Sequence, residues 1–482
     1  MLFNSIEFLF FFPLVTLLYF LLPYKCRWAL LLLASCVFYI FFKVIYILIL
    51  FFTIIVDYFA GILIEQAKSK KRKKLFLLMS LIANIGVLSV FKYYNFFNGN
   101  ITGLLHFLGY HNPIPYLNIL LPIGLSFHTF QAMSYTIEVY RGHKAERNLG
   151  IYALYVMFYP QLVAGPIERP QNIIYQFYEK HKFNYEDARD GLLQMLWGFI
   201  KKCVIADRLA LIVNPIFHNV YDYSGAPLLI ASVFFTFQVY CDFSGYSDIA
   251  IGAARVMGFR LMKNFDRPLA SKSITEVWRR WHISLSSWIH DYLFTPLAVS
   301  FRNLGLLGLI LASTVSFTLI GLWHGASWNF VFYGFLQSIF ICYELVTKKI
   351  RKSISRKVPS SIYKSLSILI TFSAFCFSNI FFRAKTFNDA VFVIKHLFIQ
   401  NGKIFDLLGA FTGVGISAGI IELSFLFIIL LIIIEFFNFE FHLVTLLKRQ
   451  PLLVRWSVYY SAIVFLALFG VFEDRQFIYF QF

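Results

Sequence analysis

Apolar residues dominate this chain in long runs, near residues 2–22, 28–43, 45–65, 75–97, 119–139, 191–214, 226–255, 303–321, 325–347, 361–383, 420–438 and 452–471. Each approaches the roughly 20 residues that a helix needs to cross a bilayer. The pattern therefore predicts an all-α polytopic membrane protein with about 10 to 12 spans. Gly and Pro interrupt several runs, as at Leu121-Pro122-Ile123-Gly124 and Tyr159-Pro160. Such positions predict broken or re-entrant helices, which lipid tolerates only where the backbone is buried in protein or lines a cavity. The run at 2–22 lacks a basic leading segment and a small-residue cleavage site, so it reads as a first span rather than a removable signal. No internal repeat or low-complexity linker divides the sequence, and residues 1–482 read as one membrane domain.

Composition agrees: 59% of residues are hydrophobic, 20% aromatic and 14% charged, against about a quarter charged in a soluble domain. The net charge of +18 would suit nucleic acid only if it lined one face. Instead the basic residues cluster between apolar runs, the signature of cytoplasmic loops. Lys68 through Lys74 form the densest cluster; with that loop inside, the loop bearing Lys25 and Arg27 is also inside and the N-terminus is extracytoplasmic. The loop from Asn98 to Asn118, without Lys or Arg, then faces outward, and Arg141, Lys144 and Arg147 face inward. The segment from Arg255 to Arg280 and the cluster Lys348, Lys349, Arg351, Lys352, Arg356 and Lys357 mark further inward loops. The six cysteines are scattered without metal-ligand spacing and read as small core residues.

Function is sought where polar residues persist in apolar surroundings, because a central charge costs about 3 kcal/mol even on the lenient insertion scale. The stretch from Tyr159 to Pro170 is punctuated by Pro and Gly and reads as a rigid turn. Tyr240 to Ile251 places Asp242, Ser244, Ser247 and Asp248 inside an apolar run. This reads either as a broken helix whose side chains satisfy backbone groups or as a ligand contact. From Asn264 to Pro296, Trp278, Trp281, Leu285 and Trp288 share one face of a predicted amphipathic helix, with Arg279 and Arg280 beside it. That helix is either an interfacial anchor or the lining of an inward-facing entrance, where Arg267, Arg279 and Arg280 hold an anionic, phosphate-bearing donor. His324, in Trp323-His324-Gly325, lies within a hydrophobic hairpin; an imidazole there suits a general base that takes and returns a proton. His282 ranks second. His128 reads as a packed core residue.

The order Tyr240-Cys241-Asp242-Phe243-Ser244-Gly245-Tyr246-Ser247-Asp248, then Asn264-Phe265-Asp266-Arg267-Pro268, then Trp278-Arg279-Arg280-Trp281-His282, then Trp323-His324-Gly325 resembles the membrane-bound O-acyltransferase (MBOAT) family. Within it, the sequence is most similar to the bacterial alginate O-acetyltransferase AlgI group. Met1-Leu2-Phe3-Asn4-Ser5 and Val163-Ala164-Gly165-Pro166-Ile167 are similar to that group as well. The resemblance implies an MBOAT-type bundle of about 11 transmembrane helices with re-entrant and amphipathic helices around a central tunnel. It implies His324 as the catalytic histidine and His282 as a second functional histidine, with Asn264, Asp266 and Arg267 on the cytoplasmic substrate path. Arg279, Arg280, Trp281, Asp242, Ser244 and Trp323 are taken with that path. It further implies acyl transfer, with no bound cofactor or metal, from acetyl-CoA or another cytoplasmic thioester. The acceptor is an extracytoplasmic polysaccharide or a periplasmic or membrane-anchored SGNH-type partner, across the bacterial inner membrane and with no nucleic acid. An acyl-enzyme on Ser244, Ser247 or a cysteine stays open, since the sequence alone gives no nucleophile-base spacing. A transporter or channel would also use broken helices and midplane histidines, but inverted halves are not visible. The two histidines are expected to approach the reaction centre from opposite membrane faces.

Overall fold

In the computed structural model, which describes residues 1–399, 417–441, 443–472, 477 and 478, every one of the apolar runs forms helix, and no strand occurs among the described residues. By their contacts the described residues group into two compact units, within 1–195 with 247–263, and within 196–246 with 264–482.

The first unit opens with α1 (Ile6–Leu21), α2 (Tyr24–Ile40), α3 (Tyr46–Gln66) and α4 (Lys70–Phe107). Ser5 and Ser69 start α1 and α4 by accepting hydrogen bonds from the Phe8 and Arg72 backbone N–H groups, satisfying donors that helix geometry leaves orphaned. The predicted break at Leu121-Gly124 is present. Gly124 takes φ 77° at the start of α5 (Leu125–Tyr140), where a Cβ would lie 3.0 Å from the Leu162 carbonyl. α6 (Leu149–Met157) ends as the Pro/Gly-rich stretch begins.

Polar side chains seam α3, α4 and α5 together. Asp57 accepts hydrogen bonds from Ser80 Oγ at 2.6 Å and Asn84 Nδ2 at 2.9 Å, and His128 Nε2 lies 2.6 Å from Thr53 Oγ1. Hydrogen bonds between helices replace the hydrophobic drive that lipid cannot supply, so His128 is a packed interhelical residue, as its surroundings in the sequence suggested. In the Pro/Gly-rich turn, Glu168 is fully buried and accepts the Met262 backbone N–H. Burial pushes its carboxyl up to about 7.

In the second unit, α7 (Tyr185–Phe199), which begins in the first, runs through a π-helical turn (Ile200–Ala206) into α8 (Asp207–His218). α9 (Ala226–Val256), which ends in the first unit, is continuous over 31 residues. The helix break considered for Tyr240 to Ile251 is therefore absent. Gly245 allows the Gly198 carbonyl oxygen to come within 2.7 Å of where a Cβ would stand, and Asp242, Ser244 and Asp248 find partners outside the helix's own backbone. Two short helices, α10 (Ile274–Arg280) and α11 (Ile283–Ile289), precede the hairpin of α12 (Leu306–His324) and α13 (Trp328–Val346). The basic helix α14 (Lys348–Lys357) follows, then α15 (Ser360–Arg383), α16 (Phe387–His396), α17 (Ala418–Phe441) and α18 (Leu452–Phe469).

Against an expectation of about 11, eight helices among the described residues are long and apolar enough to cross a membrane: α3, α4, α9, α12, α13, α15, α17 and α18. α1, α2 and α5 have 16, 17 and 16 residues, and α7 and α8 carry charged residues. α18 buries none of its residues and exposes Leu453 and Leu468; such an apolar surface is stable facing lipid.

Candidate active site

The hairpin of α12 and α13 is drawn tight by small residues. A Cβ on Gly321 would lie 2.1 Å from the Phe330 carbonyl oxygen, and one on Gly334 would lie 2.1 Å from that of Phe317. Such contacts let two backbones touch. His324 is the last residue of α12, and the chain then turns through an extended Gly325. The imidazole is buried, at 4% exposure. The rings of Trp323, Phe382 and Tyr333 stand 4.9, 5.2 and 6.1 Å from it.

His282 reaches the same place along a different route. Glu344, near the end of α13 beside the basic helix, accepts hydrogen bonds from Ile274 N at 2.5 Å, Thr275 N at 3.1 Å and Thr275 Oγ1 at 2.6 Å. Ser273 caps the same helix by accepting from Glu276 N at 3.1 Å. With its first donors satisfied, α10 begins at that basic end and runs along α13. Seven residues back along α13, Gln337 accepts from Trp278 Nε1 at 3.1 Å. Trp281 then packs on Phe375 of α15 at 5.4 Å, and His282 comes within 6.3 Å of Trp323. At 1.5 Å per residue, the step from Glu344 to Gln337 spans about 10 Å along the helix axis.

The continuous amphipathic helix expected over Trp278 to Trp288 is instead divided. α10 stops at Arg280, Trp281 is extended, and His282 is left-handed at φ 44° before α11 begins. The cause lies upstream. Asp266 N donates to the Arg280 carbonyl at 2.9 Å, and Ile283 N donates to the Asn264 carbonyl at 2.9 Å. Asn264 Oδ1 also accepts from Ser284 N at 3.2 Å and Ser284 Oγ at 2.9 Å, and lies 3.1 Å from His282 Nδ1. Segment 264–266 thus holds the chain open between the helices. His282 and Arg267 (φ 48°) are the non-glycine residues with positive φ among the described residues, a conformation that costs about 1–3 kcal/mol and clusters at functional sites. Burial lowers the His282 imidazole to about 3, so the ring is neutral.

The residues singled out from sequence fall into three groups. Asn264, Trp281, His282, Trp323 and His324 form the buried interior. Asp266, Arg267, Arg279 and Arg280 lie toward the solvent-accessible rim, where Arg267 stands 3.9 Å from Asp266 and Arg280 pairs with Glu276 at 2.6 Å. Asp242 and Ser244 are engaged elsewhere on α9. Asp242 pairs with Lys202 at 2.7 Å and accepts the Ile478 backbone N–H, while Ser244 Oγ accepts from Lys201 Nζ at 2.9 Å. Phe243, between them, packs its ring 4.6 Å from His282, so α9 touches the site through an aromatic rather than a carboxylate. Ser284, Gln337, Glu344, Lys201 and Lys202 were not recognised from sequence. A lone Glu within the apolar run 325–347 and adjacent lysines within 191–214 were the available signals.

Residues 128–384 match the model of MBOAT, the membrane-bound O-acyltransferase family. A Pseudomonas aeruginosa protein named Probable alginate O-acetylase AlgI is 34% identical over 91% of this chain and 82% of its own length. A Helicobacter pylori peptidoglycan O-acetyltransferase is 33% identical over 83% of this chain and 80% of its own. A Streptococcus thermophilus teichoic acid D-alanyltransferase is 28% identical over 57% of this chain and 70% of its own.

Proposed function

Since this multi-pass membrane protein belongs to the membrane-bound O-acyltransferase family and is an O-acyltransferase, we propose that it moves an acetyl group from cytoplasmic acetyl-CoA to hydroxyls of an extracytoplasmic polysaccharide. A periplasmic or membrane-anchored SGNH-type protein is the partner that would carry the group on where the polysaccharide is not acylated directly. The observation that carries this reading is the convergence of His324 and His282 on one indole, Trp323, at 4.9 and 6.3 Å. Two imidazoles meeting inside an apolar bundle suit proton transfer during acyl exchange.

In this mechanism His324 takes the proton of the acceptor hydroxyl as that oxygen attacks the thioester carbonyl carbon. The C–S bond then breaks, and the imidazolium returns its proton to the departing thiolate. Arg267, Arg279 and Arg280 at the rim suit the phosphates of the donor. That rim lies toward the cytoplasm of the inner membrane, as does α14, and the N-terminus lies outside. Relatives named for alginate, peptidoglycan and teichoic acid align with this chain. A shared transfer chemistry with differing acceptors accounts for that spread.

The test is a deletion strain complemented with wild-type protein or with His324→Ala at equal membrane levels, followed by mass spectrometry of surface glycans. Loss of O-acetyl groups in the variant is expected. Retained O-acetylation removes His324 as the base.

A further inference from the structure

Asn264, placed with the substrate path from the sequence, turns its side chain to His282. Its Oδ1 accepts the backbone N–H of Ser284 at 3.2 Å and the Ser284 hydroxyl at 2.9 Å. A backbone N–H can only donate, so the atom facing it is the amide oxygen and not the NH2 group. The same oxygen lies 3.1 Å from His282 Nδ1, and the Ser284 hydroxyl, 3.4 Å from that nitrogen, directs its single proton to Asn264 Oδ1 at the shorter distance of 2.9 Å. An oxygen that can only accept requires a proton on Nδ1, and a neutral imidazole carries only one N–H. The backbone reinforces this arrangement, because the Asn264 carbonyl holds Ile283 N at 2.9 Å while His282 stays left-handed.

We propose that Asn264 is a positioning residue that locks His282 as the Nδ1–H tautomer, so that Nε2 acts as a hydrogen-bond and proton acceptor during acyl transfer. This rests on the O-acyltransferase reading for its functional half; the tautomer itself does not. The consequence is selective. A neutral ring with its proton on Nδ1 cannot donate from Nε2, so His282 does not serve as an oxyanion donor to the thioester carbonyl. Its Nε2 serves instead to receive a hydrogen bond or proton, complementing His324. Burial that keeps the ring neutral supports the assignment.

The experiment uses the full chain, labelled with 15N-histidine and reconstituted in lipid nanodiscs, with the His282 resonances assigned by their loss in His282→Gln. Solid-state NMR is expected to show protonated Nδ1 and unprotonated Nε2 in the wild type. Asn264→Asp keeps an accepting oxygen and retains that pattern, as does Ser284→Ala, which leaves the Asn264 amide in place. Asn264→Leu removes the acceptor, and an Nε2–H population appears. In the same preparations Asn264→Leu lowers kcat by about 10²-fold, the scale of a misplaced catalytic group, with donor KM little changed, and Asn264→Asp recovers most of the loss. An Nε2–H signal in the wild type, or an unchanged pattern in Asn264→Leu, overturns the proposal. Should the leucine variant fail to accumulate, the wild-type and Asn264→Asp spectra still decide it. A wild-type chain with the expected tautomer and no acyl transfer would count against the enzymatic reading alone.

Discussion

His282 and His324 are both packed by aromatic rings, with Phe243 standing 4.6 Å from His282, and they differ in the hydrogen bonds described around His282. His282 sits in a net of hydrogen bonds, with Asn264 Oδ1 at 3.1 Å from Nδ1 and Ser284 sharing the same oxygen. His324 sits among ring faces and edges, those of Trp323, Phe382 and Tyr333. A hydrogen bond from a one-way acceptor selects which nitrogen holds the proton. Ring packing selects where an imidazole stands. A base that must accept a proton and give it back suits the second setting, and an acceptor with one fixed duty suits the first.

Substitution should separate the two roles. His324→Gln has no proton to exchange and is expected to lose the full contribution of a general base, about 10²–10⁴-fold in kcat. His282→Gln keeps an amide that can donate to Asn264 and is expected to lose at least about tenfold less. Equal losses in radiolabelled acetyl transfer would erase the distinction. Next in size, Glu344→Ala strips the acceptor from three donors at the start of α10 and should cost about 3 kcal/mol of stability. Glu344→Gln should cost less, and thermal unfolding in detergent measures both. This change acts through His282.

Gly325→Ala acts on the other side. Its Cβ would stand 2.2 Å from the Phe330 ring, which must move beside His324, at a cost of about 1 kcal/mol. A drop in kcat without a change in the His282 NMR pattern is expected. The smallest effect is one of pH. Burial places the folded His282 below its unfolded value of 6.5, at about 3. Between those values the native ring binds fewer protons than the unfolded one. Stability from this group is in place well above pH 6.5 and is lost as pH falls through the window, on the order of 1 kcal/mol between pH 7.5 and 6.0. His282→Gln should remove that increment from the pH dependence of unfolding.

Much of the architecture could be read from the chain. The apolar runs all became helices, and the left-handed Gly124 appeared where Leu121-Pro122-Ile123-Gly124 foretold a break. Trp323 and His324 were legible because a polar ring inside an apolar hairpin is conspicuous. The division at Trp281-His282 was not, because helical spacing through Trp278, Trp281, Leu285 and Trp288 is locally sound. What opens the helix is a segment ending at Asp266, and periodicity carries no trace of such a partner. The same limit hid Glu344, whose importance depends on donors 69 and 70 residues earlier.

The anchorage of α10 at Glu344 imposes an order on the protein's birth. When the ribosome finishes Ile274, the carboxylate that will hold its N–H is still 70 residues from being made. At about 5–20 residues per second, that interval is on the order of 4–14 s. Until α12 and α13 have entered the bilayer, the nascent segment from Asn264 to Ile289 has no reason to leave the aqueous side. The site would be completed from the outside of its own sequence inward: hairpin first, re-entrant helices second. A ribosome stalled before α13 emerges should leave that segment open to protease, and one stalled well after it should leave it sheltered.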